Sequence, residues 1–268
     1  MGKTVAVVNQ KGGVGKTTVV MGLASAAMAR GHKVLVVDLD PQGASTWVLG
    51  VDAERVKRTA ADALASGRAG SLRDVILPST WSHLVDVAPS GPGLQRFESI
   101  RSGIETFLSG RAEHRLRRGL DGVSKGYGLV LVDCPPSLGD LTTNALAASD
   151  QALLVVEPTA LSLRGVAPVA ELIETVWDRH NEHLDLAGVI VNRMPARGHD
   201  AEARYEELAR TVGSSAVWNP PIPSRVVVAE AASARKPIHE MGARSREVAT
   251  IFDILYDQLW ALVKPKKA

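Results

Sequence analysis

One cysteine, Cys134, stands in a chain of 268 residues. A lone cysteine excludes an internal disulfide and any metal or cluster site that needs two cysteines from each chain, and it fits a reducing compartment. Long hydrophobic runs are absent too. The longest are about five or six residues, against the ~20 that span a bilayer. No apolar leader segment follows Met1. There is no internal repeat and no low-complexity linker, which excludes a solenoid or a fibrous chain. What remains is a composition of 45% hydrophobic and 22% charged residues, that of an ordinary soluble globular protein.

Net charge is nearly absent. There are 31 basic and 29 acidic residues, for a balance of +2. Any surface for nucleic acid or membrane must therefore be a local patch. The basic set is 21 Arg against 10 Lys, a bias that genome composition explains as well as phosphate binding does.

The chain reads as one α/β domain over residues 1–268, with a mostly parallel twisted sheet of six to eight strands covered by helices on both faces. Thr4 to Asn9, Lys33 to Asp38, Leu129 to Val132, Ala152 to Val156 and Val189 to Val191 are continuous apolar runs, with a shorter one at Leu84 to Val87. Continuous rather than alternating hydrophobicity belongs to strands buried on both faces. Helical patterns lie between them at Val19 to Arg30, Leu141 to Ala148, Val166 to Arg179 and Ala201 to Val212. Residues 50–120 are less regular and read as an elaboration. Within them Leu94, Phe97, Ile100, Ile104, Phe107 and Leu108 keep a helical spacing. Arg96, Arg101, Arg111, Arg115, Arg117 and Arg118 stud that region as a solvated face.

The strongest signal lies between the first strand and the first helix, at Lys11-Gly12-Gly13-Val14-Gly15-Lys16-Thr17-Thr18. Glycines let backbone N–H groups curl around phosphate oxygens, and the helix start adds the positive end of its dipole. Lys16 is placed to reach the β- and γ-phosphates, and the Thr17 hydroxyl to meet Mg²⁺. Lys11, at the loop's start, points away from its own phosphates more easily than toward them. A cation there suits phosphate held across an interface, as an arginine finger does.

This KGGVGKTT segment resembles the deviant Walker A box of the ParA/MinD family of ATPases. Leu35 to Gly43 (LVVDLDPQG), Leu131 to Gly139 (LVDCPPSLG) and Pro221 to Ile238 resemble three further blocks of its partition branch. The resemblance spans essentially the whole chain. It implies a P-loop fold, ATP and Mg²⁺ as cofactors, an ATP-sandwich homodimer in which Lys11 contacts the partner's nucleotide, and Asp40 as the switch I aspartate needed for hydrolysis. Asp38 would support the loop and the metal shell, and Asp133 would be the Walker B carboxylate. Asn192 would contact the base, with Pro221 to Pro223 as the second wall of its pocket. Cys134 reads as packing.

Arg193, Arg197, Arg225, Arg235, Lys236, Arg244 and Arg246 come from two late loops and could form one patch for non-specific double-stranded DNA, chiefly on the strength of the resemblance. Where the family commonly reads IPRNVRLSEAPS, this chain has IPSRVVVAEAAS, so Ser224 and Val227 replace two common arginines. The resemblance also implies a ParB-like activating partner and a cytoplasmic, nucleoid-associated location. Val248, Ile251, Phe252, Leu255, Tyr256, Leu259 and Trp260 form a wide apolar stripe with an acidic opposite side, which favours a helix packed on the body over one lying on anionic lipid; no stable membrane association is expected. The tail at residues 264–268 is basic. Two rival readings stand: a MinD-like membrane- or cargo-positioning ATPase, and a nucleotide-gated scaffold with negligible hydrolysis. The lone Cys134 disfavours a nitrogenase-like iron–sulfur role.

Overall fold

A computed structural model describes residues 3–98 and 114–264. Strands β1 (Lys3–Val8), β2 (Val34–Asp38), β3 (Leu77–Pro78), β4 (Val85–Ala88), β5 (Leu129–Asp133), β6 (Gln151–Val156) and β7 (Asp185–Val191) form one sheet in the order β3-β4-β2-β5-β1-β6-β7. All neighbours are parallel except β3 and β4. The helices are α1 (Lys16–Ala29), α2 (Ala44–Val48), α3 (Ala60–Ser66), α4 (Gln95–Glu98), α5 (Arg115–Leu120), α6 (Asp140–Ala147), α7 (Ala160–Arg164), α8 (Val166–Arg179), α9 (His199–Val212), α10 (Val226–Ser233) and α11 (Arg246–Val263). Ile100, Arg101, Ile104, Phe107, Leu108, Arg111 and the tail lysines Lys266 and Lys267 lie outside the described residues.

The apolar runs are continuous because each strand feeds two cores. Val5 and Val7 of β1 and Val34 and Val36 of β2 join the core under α1 and α11. Ala6, Val8, Leu35 and Val37 join the opposite core under α3, α5, α6 and α8. Helix α1 is rich in Ala, Met and Leu, good helix formers. It stops where Gly31 turns left-handed at φ 74°. There Gly31 N–H donates to Met28 O at 2.9 Å and His32 N–H to Ala27 O at 3.0 Å, capping the last carbonyls.

The apolar stripe of α11 is spent on α1. Phe252 is 1% exposed, and a Cβ on Gly22 would sit 2.1 Å from its ring, so the missing side chain is what lets the two helices meet. Arg30 ties the outer edge of this contact to Asp253 and, at 2.9 Å, to Asp257. Among the described residues no helix is long and apolar enough to cross a membrane.

Candidate functional site

The carboxyl ends of β1, β2, β5 and β7 meet at one edge, where open α/β sheets hold their ligands. β1 leads into the loop Asn9 to Gly15. Asn9 is buried; its Nδ2 donates to Val155 O at 2.5 Å, and its Oδ1 accepts Lys11 N–H at 2.8 Å. Gly13 and Gly15 have φ of 82° and 89°, which a side chain would strain. A Cβ on Gly15 would also fall 2.0 Å from Asn192 Nδ2. That amide donates to Val14 O at 2.8 Å and pins the loop from β7. Lys16 and Thr17 then open α1.

Asp133 ends β5 and is fully buried. Its Oδ2 accepts the Thr17 hydroxyl at 2.7 Å and the Ser45 hydroxyl at 2.6 Å. Its Oδ1 is buried and has no hydrogen-bond partner among the described residues. An orphaned buried carboxylate oxygen beside two hydroxyls fits a hard divalent cation, bound directly or through water. No cluster of three His, Cys, Asp or Glu side chains suited to a metal exists among the described residues. Mg²⁺ takes one or two carboxylates and leaves the other positions to phosphate and water.

The resemblance gives Asp38 a place in both the loop and the metal shell, and its contacts in the structure are with the loop. Asp38 Oδ2 accepts both the N–H and the hydroxyl of Thr46, each at 2.7 Å, and Oδ1 accepts Asp40 N–H at 3.2 Å. Both oxygens are engaged in holding the Asp40 to Thr46 loop. Burial pushes the Asp38 carboxyl up, and repulsion from Asp133 adds to it, against the Thr46 hydrogen bonds. Burial also raises Asp133, opposed by Ser45, Thr17 and the Lys16 charge. Lys16, 6% exposed, is lowered by burial, against attraction to Asp133. Asp40 is half-buried; its Oδ1 accepts Gln42 N–H at 2.9 Å, and its carbonyl accepts the Ser90 hydroxyl at 2.5 Å.

Beside the loop lies a cavity of about 270 Å³, lined by Thr18, Asn192, Arg193, Pro223, Arg225 and Val228 among others. It has room for a base. Of Pro221 and Pro223, Pro223 lines it; Ile222 N–H donates to Val191 O and Met194 N–H to Ile222 O, each at 2.8 Å, and Pro223 pairs with Met194 beside the Asn192 turn.

A family model described as an AAA domain matches residues 2–186. The sporulation initiation inhibitor protein Soj of Bacillus subtilis is 35% identical over 95% of this chain and 97% of its own length. The chromosome-partitioning ATPase Soj of Thermus thermophilus is 38% identical over 88% of this chain and 87% of its own. This chain belongs to the ParA/MinD family of P-loop ATPases. Among solved structures, the cell-division ATPase MinD of Pyrococcus furiosus covers 98% of this chain and 100% of its own at 25% identity and a TM-score of 0.74. Cobyrinic acid a,c-diamide synthase of Mycobacterium smegmatis, solved with an ATP analogue and magnesium, covers 100% of both chains at 25% identity and 0.77. The processes named differ.

In this ParA/MinD chain Lys11 turns from its own loop toward the β6–α7 connection. Its Nζ lies 3.5 Å from Glu157 Oε2 and donates to the Thr159 hydroxyl at 3.5 Å. Four of the seven basic residues of the late loops meet a carboxylate or an aromatic ring among the described residues. Arg193 donates to Glu157 at 2.8 Å, Arg225 to both oxygens of Glu247 at 3.0 and 2.9 Å, and Arg244 meets Glu230 at 3.1 Å. Arg235 lies 4.4 Å over the Trp47 ring, on the helix that follows the Asp40 loop. Lys236 is exposed beside a mostly apolar cavity under α10 and α11. Arg197 and Arg246 are exposed.

Sequence reasoning missed Asn9, Ser45, Ser90 and Glu157. None falls in a spacing that marks it, and only the sheet order brings them to the loop. It also missed a Ser25–His239–Asp253 row, joined at 2.7 and 3.2 Å. This looks like a nucleophile triad, but Ser25 is 0% exposed in α1. The row is a brace between α1 and α11.

Proposed function

We propose that this chain is an ATPase that dimerises around two MgATP, binds DNA without sequence preference and drives plasmid or chromosome partition with a ParB-like partner. The observation that carries the reading is Lys11: a second lysine on an intact phosphate loop, directed away from that loop. Two relatives over most of the chain carry partition or chromosome-related names, which supports the process.

Bound MgATP supplies the phosphoryl group and a cation that neutralises charge on its oxygens. The N–H groups of Gly12 to Thr18 bind phosphate oxygens, and Lys16 meets the developing negative charge. Thr17 and Asp133 hold the cation. Ser45 shares Asp133 with Thr17 and so ties the carboxylate that would hold the cation to the Asp40 to Thr46 loop. Asp40 orients the attacking water. Lys11 crosses to the second subunit and joins the pair. DNA is met by the late arginines as phosphate contacts, at a cytoplasmic, nucleoid-associated location.

A second reading, an ATPase that positions a membrane-bound or protein cargo, draws on the carboxylates that hold Arg193, Arg225 and Arg244. Size and DNA binding measured with and without ATP separate the two. Dimerisation with DNA binding supports partition, and dimerisation without it supports the other cargo.

A further inference from the structure

Glu157 follows β6 at the edge where the two readings of the site meet, and it answers two cations at once. Its Oε2 faces Lys11 at 3.5 Å and its Oε1 accepts Arg193 at 2.8 Å. The Glu157 side chain is 15% exposed. Its backbone is held, since its N–H donates to the Ser162 hydroxyl at 3.1 Å and Pro158 follows. Thr159, which offers Lys11 its hydroxyl, is itself fixed as the N-cap of α7, accepting Ser162 N–H at 3.3 Å. Arg193 sits at φ 56°, an uncommon backbone for a non-glycine residue, and this turn carries its guanidinium to Glu157. A carboxylate and a hydroxyl, both on fixed backbone, thus receive the Lys11 ammonium.

We propose that Glu157 is a positioning residue that parks Lys11 in the single subunit and thereby sets the ATP concentration at which two subunits join. The inference rests on the proposed cross-subunit role of Lys11. For Lys11 to reach a nucleotide held by a second subunit, its ammonium must leave Glu157 and Thr159. Glu157 then keeps Arg193 alone. The pair is a cost of dimerisation, paid once per subunit, and it holds Lys11 away from its own loop until a partner's phosphates offer more charge.

The test uses the full chain with Glu157→Gln, which keeps side-chain volume and an oxygen for Arg193 but removes the charge facing Lys11. ATP-driven dimerisation is followed by light scattering against ATP concentration, beside wild type and Lys11→Ala. In parallel, acetylation of Lys11 by a small amine reagent, without nucleotide, is read by mass spectrometry against exposed Lys57. For Glu157→Gln the expected midpoint falls about three- to fivefold, the range for a partly exposed ion pair, with a smaller difference at high salt. Lys11 is expected to label faster, with Lys57 unchanged. Glu157→Asp, whose carboxylate is drawn back, should fall between the two. An unchanged or raised midpoint in Glu157→Gln, with wild type dimerising and Lys11→Ala not, overturns the parking role and leaves the function standing. Unchanged Lys11 labelling overturns it equally. Wild type that stays single with ATP, or Lys11→Ala that dimerises normally, overturns the cross-subunit reading beneath it.

Discussion

Asp38 and Asp133 stand opposite each other at the ends of β2 and β5, paired in register and both fully buried. Burial raises both above the ordinary value of 3.8; the Asp133 charge adds to the rise at Asp38, and the Asp40 charge adds to the rise at Asp133. They divide the work: Asp38 holds the Asp40 to Thr46 loop, and Asp133 presents a free oxygen beside Thr17 and Ser45.

That pair makes a prediction about pH. A carboxyl raised by folding binds more protons folded than unfolded above 3.8, so its contribution to stability falls as pH rises through its folded value. A divalent cation with nucleotide favours the ionised form and relieves this. The rise in melting temperature on adding MgATP should be larger near pH 8 than near about pH 5.5. Equal rises at both would show that Asp133 is not where the cation binds.

Lys16→Ala should lower turnover by about 100-fold or more, the scale for removing one preorganised charge donor. It also takes away the cation that holds Asp133 down, so the ligand-free protein should melt lower at neutral pH. Phosphate release and a melt check both; wild-type turnover would remove Lys16 from the phosphate site.

Asp40→Ala should still bind ATP and dimerise but hydrolyse about 100-fold more slowly, as expected for loss of a water-orienting group. Dimers should then persist after excess ATP is withdrawn. Rapid return to single subunits would place the water elsewhere.

Arg225 and Glu247 predict effects of opposite sign. Arg225→Ala should weaken binding to every DNA sequence and reduce the salt slope by about 1. Glu247→Gln frees the guanidinium and should strengthen binding at low salt. No change in either variant would move the DNA contact to other arginines.

The strands and the phosphate loop were legible because their signals are local: an apolar run that ends in Asn9, Asp38, Asp133 or Asn192, and glycines before a helix. The C-terminal stripe was legible for the same reason, since Phe252 and its neighbours keep one helical period and meet Gly22. What lay hidden depends on pairs far apart in the chain. Arg193, Arg225 and Arg244 read as open cations, yet Glu157, Glu247 and Glu230 answer them across 36, 22 and 14 positions. Asn192 read as a base contact, while its amide nitrogen pins Val14. Pro221 and Pro223 are alike in sequence, and the pairing of Ile222 and Pro223 with Val191 and Met194, far away in the chain, puts Pro223 on the cavity. The short antiparallel β3, which includes Pro78, has no periodicity to reveal it.

Binding to a random-sequence DNA duplex at fixed moderate salt tests the central claim most directly, with no nucleotide, with ADP and with ATP–Mg²⁺, and size followed in the same samples. The account predicts a dimer that binds DNA with ATP–Mg²⁺ alone, and single subunits that bind weakly otherwise. Dimers that form with ATP–Mg²⁺ yet leave the duplex free would contradict it.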